Sequence, residues 1–368
     1  MSIEREAREP GTSSARRPAR VAVGLVSGAV VLVAALACWV LPARVPPAPD
    51  GVSYDRRDNA LWLSRHWLHE PSSDDEIGEL ARRLAEHGIT VVYPFLGPMD
   101  SHGYPGWRNN GAIQHYQPEV AASFRARFHA AAPAVKVLPW TGGIYGEDVV
   151  LGDEARISGF LTHVRWLVGD GGFDGIHLNV EPLPDDDPAF LELLRRVKAA
   201  MPRDRLLSVA AYPPTTPLHP YKRVHWSADY LDRVCGVADD LAVMTYDTAL
   251  RWPRIYERLM AQWTREMAAV VSRQSSGCVV RLGVPTYEER VPWHDPSTET
   301  VTSALDGIRA GLSSKGGAPE RVRGVAIYAD WTTDPQDWAA FESIWVRGQR
   351  RPGGNARPRP GGLPEGPS

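Results

Sequence analysis

Hydrophobic positions along residues 59–347 recur with two periods, a period of two in short runs and a period close to 3.6 in the longer segments between them. The short runs predict eight strands, at residues 60–68, 89–96, 135–141, 175–181, 206–212, 240–246, 279–287 and 323–330. The intervening segments predict eight helices, at residues 73–87, 118–132, 154–168, 188–200, 227–234, 254–273, 300–312 and 335–347. Eight strands that alternate with eight helices are typical of a parallel barrel, so the predicted fold class is α/β, a (β/α)8 TIM barrel. A doubly wound open sheet is the alternative, but no glycine-rich phosphate-binding loop follows the first strand.

The fourth predicted strand, residues 175–181, carries polar side chains on one face. Its positions 176, 178 and 180 are aliphatic, whereas His177, Asn179 and Glu181 occupy the alternate positions. A purely structural strand of a parallel sheet is apolar on both faces. The polar row therefore predicts the mouth of an enzyme barrel, with Glu181 at the end of the strand.

The predicted domain, residues 59–347, is flanked by a spacer at 44–58 and by a tail at 348–368. The spacer is rich in proline, and the tail has almost no apolar residues, so we expect the tail to be disordered. With 43% apolar residues the chain can bury one large core, as barrels of about 250 residues do. The segments 1–20 and 348–368 each have more arginine than glutamate, whereas the net charge of the whole chain is −3. The domain between them is therefore acidic, and nucleic acid is not a predicted partner.

Residues 21–43 form an uncharged apolar run that is long enough to cross a bilayer as one helix. Three arginines just before the run place residues 1–20 in the cytoplasm by the positive-inside rule. The chain is thus predicted to be a single-pass, membrane-anchored protein with an extracytoplasmic domain. A processed or lipidated N-terminus at Cys38 is the alternative, and the domain is exported in either case.

Cys235 and Cys278 each precede an apolar run, near the predicted starts of strands six and seven. An exported domain places them in an oxidising compartment. Two separate buried thiols are one interpretation, and a disulfide at the N-terminal rim of the barrel is the other. No metal site is predicted, because no Cys-x-x-Cys or paired histidine spacing accompanies them.

Carboxylates, amides and aromatic rings follow the predicted strands where these end. The segments concerned are Trp140–Gly143, Asn179–Pro182, Met244–Asp247, Pro285–Glu288 and Tyr328–Trp331. In a TIM barrel the carboxyl ends of the strands form the active-site face, so these segments are expected on one rim. Cleavage of a glycosidic bond needs a carboxylic acid to protonate the leaving oxygen and rings to hold the sugar. The pattern indicates that chemistry and contains no cofactor motif.

Five segments resemble, in the correct order, the motifs of the family 18 glycoside hydrolases, the chitinase-like enzymes. Phe173–Glu181 is similar to the DGxDxDxE signature of the fourth strand, and Met244–Asp247 to Met-x-Tyr-Asp of the sixth. Gly142–Gly143 matches the end of Ser-x-Gly-Gly on the third strand. Gly283–Tyr287 resembles the Pro-x-Tyr segment of the seventh strand, and Gly324–Tyr328 the last strand, with tyrosine in place of the family's tryptophan.

The resemblance implies a TIM barrel that cleaves an N-acetylated glycan, either peptidoglycan-like or chitin-like, with help from the substrate's own acetamide. Glu181 would be the general acid and base, Tyr246 and Asp247 would hold the acetamide, and Asn179 would accept its N–H. No cofactor and no metal are implied. The substrate contacts expected at the rim are Trp140, Tyr287, Tyr328, Trp331 and His177.

The fourth strand departs from the signature, because His177 and Asn179 replace two aspartates. Asn179 can accept an N–H through its carbonyl oxygen but brings no charge to balance a cationic intermediate. A catalytically silent carbohydrate-binding barrel is therefore one alternative. A retaining glycosidase that pairs Glu181 with Glu288 is another, although Val180 stands where such enzymes have asparagine. His177, the deepest residue of the row, could instead form a hydrogen bond within the barrel.

Overall fold

Strands and helices alternate through the domain in the computed structural model, which describes residues 41–317 and 320–350. The strands are β1 Asn59–Leu63, β2 Ile89–Pro98, β3 Gly106–Asn109, β4 Ala112–His115, β5 Lys136–Val137, β6 Trp140–Ile144, β7 Gly175–Glu181, β8 Leu206–Ala211, β9 Asp240–Val243, β10 Val279–Pro285 and β11 Val322–Tyr328. The helices are α1 His66–His69, α2 Asp74–Glu86, α3 Pro118–Ala131, α4 Glu154–Val168, α5 Pro188–Ala200, α6 Ala228–Cys235, α7 Pro253–Arg273, α8 Val301–Ser313 and α9 Pro335–Ala340, which continues as a π-helical turn over Phe341–Val346.

The strands close into a parallel barrel. β1 pairs with both β2 and β11, and parallel pairs from β2 through β6, β7, β8, β9 and β10 to β11 complete the ring. The short strand β5 and β6 share the third position, because Pro139 between them has no N–H to donate to a neighbouring strand. The predicted (β/α)8 TIM barrel is confirmed, and each of its predicted strands and helices is present.

Three short elements, two strands and one helix, were not predicted. β3 and β4 form an antiparallel hairpin between β2 and α3. Asn110 and Gly111 at its tip both have positive φ angles, of 49° and 82°, as the tight turns of two-residue hairpins require. The short helix α1 follows the first strand, so this strand ends at Leu63 and not at residue 68 as predicted.

The helices begin where the sequence signals them and cover the aliphatic face of the strands. Ser73 caps α2 with its side chain, and Asp187 accepts hydrogen bonds from two N–H groups at the start of α5. On β7, Ile176, Leu178 and Val180 are buried in the hydrophobic core. The opposite face of the same strand is thereby turned toward the barrel axis.

The inside of the barrel holds a network of charged side chains. Arg281 Nη1 donates to Asp240 Oδ1 at 2.5 Å, and its Nη2 to Asp58 Oδ1 at 2.6 Å. Burial raises the pKa of Asp58, but Arg281 and further hydrogen bonds outweigh this effect and lower the pKa to about 2. Tyr93 and Ser208 also donate to Asp240, at 2.7 and 2.8 Å. The buried charges are therefore paired and hydrogen-bonded, as burial demands.

Residues of the predicted spacer and the first residues of the predicted tail pack on the domain. The buried guanidinium of Arg309 donates to the carbonyl oxygens of Pro49, Val52, Gly348 and Gln349. A buried arginine needs several acceptors, and the two chain segments supply them. The rest of the predicted tail, residues 351–368, lies outside the described residues.

The predicted transmembrane segment 21–43 lies outside the described residues except for its last three positions. Within residues 41–317 and 320–350, no helix combines the length and the apolar character needed to cross a bilayer.

Cys235 and Cys278 form a disulfide, with their Cα atoms 5.6 Å apart. Cys235 ends α6 and Cys278 directly precedes β10, so the bond joins two connections at the N-terminal rim of the barrel. Of the two interpretations of these cysteines, the disulfide is the correct one.

Candidate active site

Glu181 ends β7, and close contact with β6 sets its position. In the parallel register Gly142 lies opposite Asn179, and Ile144 lies opposite Glu181. Gly142 has a φ of +142°, and a Cβ atom there would lie 1.8 Å from the carbonyl oxygen of Asn179. Only glycine fits this position, so the Gly-Gly pair of the sequence lets β6 approach the polar row of β7.

The carboxyl group of Glu181 has a raised pKa. Burial raises this pKa, a hydrogen bond from Asn179 lowers it, and the negative charge of Asp247 raises it again. The net shift is upward, so the carboxyl group stays protonated to a higher pH than an ordinary glutamic acid. A general acid requires this property.

Three tyrosines, Tyr212, Tyr246 and Tyr328, surround this carboxyl group. Burial raises the pKa of each phenol, and the charges of Glu181 and Asp247 raise it further. The phenols therefore remain neutral and can donate hydrogen bonds in the cleft. Tyr212 was not among the predicted site residues, although it ends the predicted strand 206–212.

Asn179 lies beside Glu181 with one hydrogen-bonding atom unused. Its side chain bonds to Glu181, while Oδ1 is buried and has no partner. The amide nitrogen is therefore the donor, and the oxygen is an open acceptor. Buried acceptors without a partner are rare and are often found where a ligand completes the hydrogen bonding.

Asp247 follows the end of β9 and is tied to the connection between β10 and α8. Its backbone N–H donates to Glu299 Oε2 at 2.7 Å, and the hydroxyl of Tyr287 donates to its Oδ1. The Asp247 residue has a φ of +60° and a side chain that is 41% exposed. Its carboxylate thus faces the cleft from a loop held by Glu299.

His294 and Glu299 belong to the site but were not predicted. The His294 ring is enclosed and stacks on Tyr287, with ring centroids 4.0 Å apart. Its Nδ1 lies 3.5 Å from Asp247 and 3.4 Å from Glu299. Both residues lie in the connection between β10 and α8, away from any strand end, so the pattern of the sequence contained no signal for them.

The predicted aromatic contacts converge on Tyr328. Its ring centroid lies 5.5 Å from that of Tyr246, 5.8 Å from Tyr287, 5.7 Å from Trp331 and 6.1 Å from Trp140. Trp331 is half exposed, whereas Trp140, Tyr287 and Tyr328 are partly buried. The structure therefore brings four of the five predicted substrate contacts to one wall near Glu181.

His177, the fifth predicted contact, does not line the cleft. Its ring is fully buried, stacks on Tyr93 at 3.9 Å and is hydrogen-bonded through Nδ1 to Ser208 at 2.8 Å. Burial lowers its pKa to about 3, so the ring is neutral. The expected substrate contact is corrected to a hydrogen bond within the barrel, because a side chain deep in the strand row cannot reach a ligand at the rim.

Asp247, His294 and Glu299 form one group that could hold a metal ion, with ligand atoms within 4.8 Å of one another. The two oxygens of Glu299 are already occupied. They accept from the N–H groups of Asp247 and Thr248, at 2.7 and 3.0 Å, and from the Thr248 hydroxyl at 2.8 Å. A metal would have to displace these donors.

Together these groups suit an acid–base reaction on a sugar. A carboxyl group with a raised pKa, an open acceptor, phenol donors and a carboxylate lie near one another beside an aromatic wall. Glu288, the proposed partner of Glu181 in the retaining alternative, is exposed to solvent. The carboxylate whose charge acts on Glu181 is Asp247.

Comparisons with known proteins point to the same family as the sequence motifs do. The family profile described as glycosyl hydrolases family 18 matches residues 73–339. Among solved structures, the spore cortex-lytic enzyme SleL of Bacillus cereus is similar at a TM-score of 0.52 and 13% identity, covering 82% of this chain and 78% of that chain. A class V chitinase from Pseudomonas fluorescens Pf-5 has a TM-score of 0.50 and 16% identity, covering 78% and 98%. A chitinase from Rhizomucor miehei has a TM-score of 0.51 and 13% identity, covering 78% and 99%. At these identities the likeness shows a shared fold, and no curated protein matches the chain.

Proposed function

As a member of the glycosyl hydrolases family 18, this chain is an O-glycosyl hydrolase, and we propose that it cleaves an N-acetylated glycan with Glu181 as general acid and base. The observation that carries this proposal is the raised pKa of Glu181 at the end of β7, beside the open acceptor of Asn179. A protonated acid and an acceptor for an acetamide N–H are the two groups that acetamide-assisted cleavage needs from one strand end.

In the proposed reaction Glu181 protonates the glycosidic oxygen, and the bond from that oxygen to the anomeric carbon breaks. The carbonyl oxygen of the substrate's 2-acetamido group forms the new bond to the anomeric carbon. Asn179 Oδ1 accepts the acetamide N–H, and Tyr246 donates to the acetamide oxygen. Glu181, now ionised, then takes a proton from water as the water oxygen attacks the anomeric carbon. The bond from that carbon to the acetamide oxygen breaks, which restores the acetamide and releases the sugar.

The aromatic wall around Tyr328 would hold the sugar rings by their apolar faces. Both chitin-like and peptidoglycan-like glycans carry the N-acetyl group that the mechanism uses. The similar structures include chitinases and a spore cortex-lytic enzyme, and both glycan classes therefore belong in the test.

We also propose that the domain works outside the cytoplasm, anchored by the apolar residues 21–43. The disulfide between Cys235 and Cys278 supports this location, because such bonds persist in oxidising compartments.

The test is turnover by the purified full chain in detergent, with fluorogenic N-acetylglucosamine oligomers and with isolated peptidoglycan. We expect turnover that is abolished in Glu181→Gln, which cannot protonate the leaving group, while binding of the oligomer is kept. Glu288→Gln is the matched variant, because it removes a carboxylate from the same rim without touching the proposed acid.

Each result separates the alternatives. Loss of turnover in both variants would favour a retaining glycosidase with Glu288 as nucleophile. Binding of oligomers without turnover by the unmodified chain would favour a carbohydrate-binding barrel. Neither binding nor turnover with either glycan class would refute the proposed substrate.

A further inference from the structure

The loop between β8 and α6, residues 212–227, is fastened to the segment that follows the acid at the end of β7. The backbone N–H of Asp185 donates to the carbonyl oxygen of Lys222 at 2.6 Å. The indole N–H of Trp226 donates to the carbonyl oxygen of Leu183 at 3.0 Å. Because Leu183 and Asp185 come almost directly after β7, these bonds hold the β8–α6 loop close to the proposed acid.

The other side of the β8–α6 loop is fastened to the loop that carries Asp247. His219 Nε2 donates to the carbonyl oxygen of Thr248, the next residue along the chain, at 2.9 Å. The β8–α6 loop also contains four prolines, each of which fixes one backbone angle, at positions 213, 214, 217 and 220. A loop that is fastened on both sides and rich in proline loses little conformational entropy when it binds a ligand.

Arg223 lies in a turn of this loop, with its side chain in solvent. The N–H of Val224 donates to the carbonyl oxygen of Tyr221 at 3.1 Å, which closes the turn around Arg223. The neighbouring Lys222 forms an ion pair with Asp185 at 3.2 Å. Within the part of the chain that the structure describes, the exposed side chain of Arg223 has neither an ion pair nor a hydrogen bond. Its charge is therefore available to a ligand.

The charge of Arg223 acts at the same place as the two acidic groups of the site. The Tyr212 ring, which begins the loop, packs edge-on against Trp226 with centroids 5.8 Å apart. Burial raises the pKa of the Tyr212 phenol, and the charges of Glu181 and Asp247 raise it further, whereas the charge of Arg223 lowers it. One hydroxyl thus lies within electrostatic range of all three charges. An anionic substrate would be repelled by the two acids unless a cation such as Arg223 faced it.

The shape of the guanidinium group indicates which anion it would bind. Its planar fork of N–H donors matches the two oxygens of a carboxylate, and such paired bonds are stronger than those of a single point charge. Chitin-like glycans carry N-acetyl groups but no charge. Peptidoglycan strands carry N-acetyl groups on every sugar and a lactyl carboxyl group on every second sugar. Only a peptidoglycan-like strand therefore offers Arg223 a partner.

We propose that Arg223 is a specificity-determining residue that binds a carboxylate of the glycan next to the reacting sugar, so that the site takes peptidoglycan-like strands in preference to chitin-like ones. This inference rests on the proposed function, because it names the substrate class of the same cleft. Binding of an anionic glycan can nevertheless be measured without turnover, which keeps the two proposals separable.

The test uses two matched ligands and the full chain in detergent, with Glu181→Gln present so that no ligand is cleaved. One ligand is a peptide-free peptidoglycan fragment with its lactyl carboxylates free, and the other is the same fragment with these groups converted to methylamides. We expect the free acid to bind about 10-fold more tightly, as a charge-assisted hydrogen bond allows. Adding Arg223→Gln should remove this preference, and adding Arg223→Lys should keep part of it, because lysine keeps the charge without the fork.

The matched control is Arg203→Gln, which removes the same charge from the opposite end of the barrel. Arg203 is exposed and lies between α5 and β8, in a connection that leads into the N-terminal end of a strand. The preference for the free acid should persist in this variant. Loss of the preference there would show that net charge governs binding and would overturn the inference. A preference that survives Arg223→Gln, equal affinity for the two ligands, or binding of neither would overturn it as well.

Turnover by the chain with Glu181 intact separates this inference from the proposed function. Turnover that needs Glu181 but shows no preference for the free acid would refute the role of Arg223 and leave the hydrolase standing. A preference in binding that needs Arg223, without turnover of any glycan, would refute the hydrolase and leave the role of Arg223 standing.

Discussion

Replacing Asn179 with aspartate would add a negative charge next to Glu181, where a cationic intermediate is expected to form. The side chain at position 179 already contacts Glu181 through a hydrogen bond, and its second atom is an unpaired buried acceptor. Asn179→Asp keeps the size of the side chain, so the strand register between β6 and β7 should be preserved. The variant therefore changes charge with little change in shape.

The magnitude follows from Coulomb's law. Two unit charges about 5 Å apart interact by about 3 kcal/mol at an effective dielectric constant of about 20. If that energy is available to the cationic intermediate and not to the neutral substrate, the barrier falls by the same amount. A decrease of about 3 kcal/mol corresponds to roughly a 100-fold increase in kcat.

The same substitution should shift the pH dependence of kcat. The introduced carboxyl group and that of Glu181 would share one proton, and burial together with Asp247 already raises the pKa of Glu181. A second carboxylate raises it further, so the protonated form of the pair persists to higher pH. We expect the alkaline limb of kcat against pH to move to higher pH.

The assay is hydrolysis of fluorogenic N-acetylglucosamine oligomers between pH 4 and 10 by the unmodified chain, by Asn179→Asp and by Asn179→Ala. The alanine variant removes both the donor and the acceptor, and its kcat should fall. If aspartate lowers an existing activity, charge at this position does not limit the reaction and the electrostatic reasoning is wrong. If both variants match the unmodified chain, Asn179 does not lie beside the reacting sugar.

Two further predictions concern the framework of the site. Gly142→Ala should lower the free energy of unfolding by about 3 kcal/mol and reduce kcat, because the added Cβ would meet the Asn179 carbonyl oxygen. Gly152→Ala is the control, because a Cβ at that position has no atom within 4 Å. Equal urea midpoints for the two variants would contradict the packing argument. Replacing Cys235 and Cys278 with serine should lower the free energy of unfolding by up to about 4 kcal/mol, since the bond closes a loop with a sequence separation of 43. A urea midpoint that does not fall would show that the bond contributes little.

Much of the fold could be predicted because its signals are local. The strand β7 alternates aliphatic and polar residues, and this alternation alone determines which side chains face the axis. Ser73 and Asp187 mark helix starts through bonds to the next few residues. The hairpin at Asn110 and Gly111 carried an equally local signal, and it was missed because its strands are short and interrupt the regular alternation.

Parts of the site could be predicted for a similar reason. Glu181 and Tyr328 end barrel strands and Tyr246 follows three residues after another, and a parallel barrel brings such ends to one rim. The alternation of side chains along β7 placed His177 on the inward face of the strand, but it did not show how far below the rim of the barrel the ring lies. That depth follows from its packing on Tyr93, a residue of a different strand.

The sequence by itself determined the order of strands and helices, the inward row of β7 and the acid at its end. Closure of the barrel decided which loops meet above that row. Asp247 and Glu299 are 52 positions apart, and only the folded chain brings the N–H of one to the carboxylate of the other. His294 meets Asp247, and Arg309 its carbonyl acceptors, from segments that are distant in sequence. Hydrophobic periodicity reports contacts within one element, whereas the electrostatics of the site depends on distances between loops, and those distances exist only in the tertiary structure.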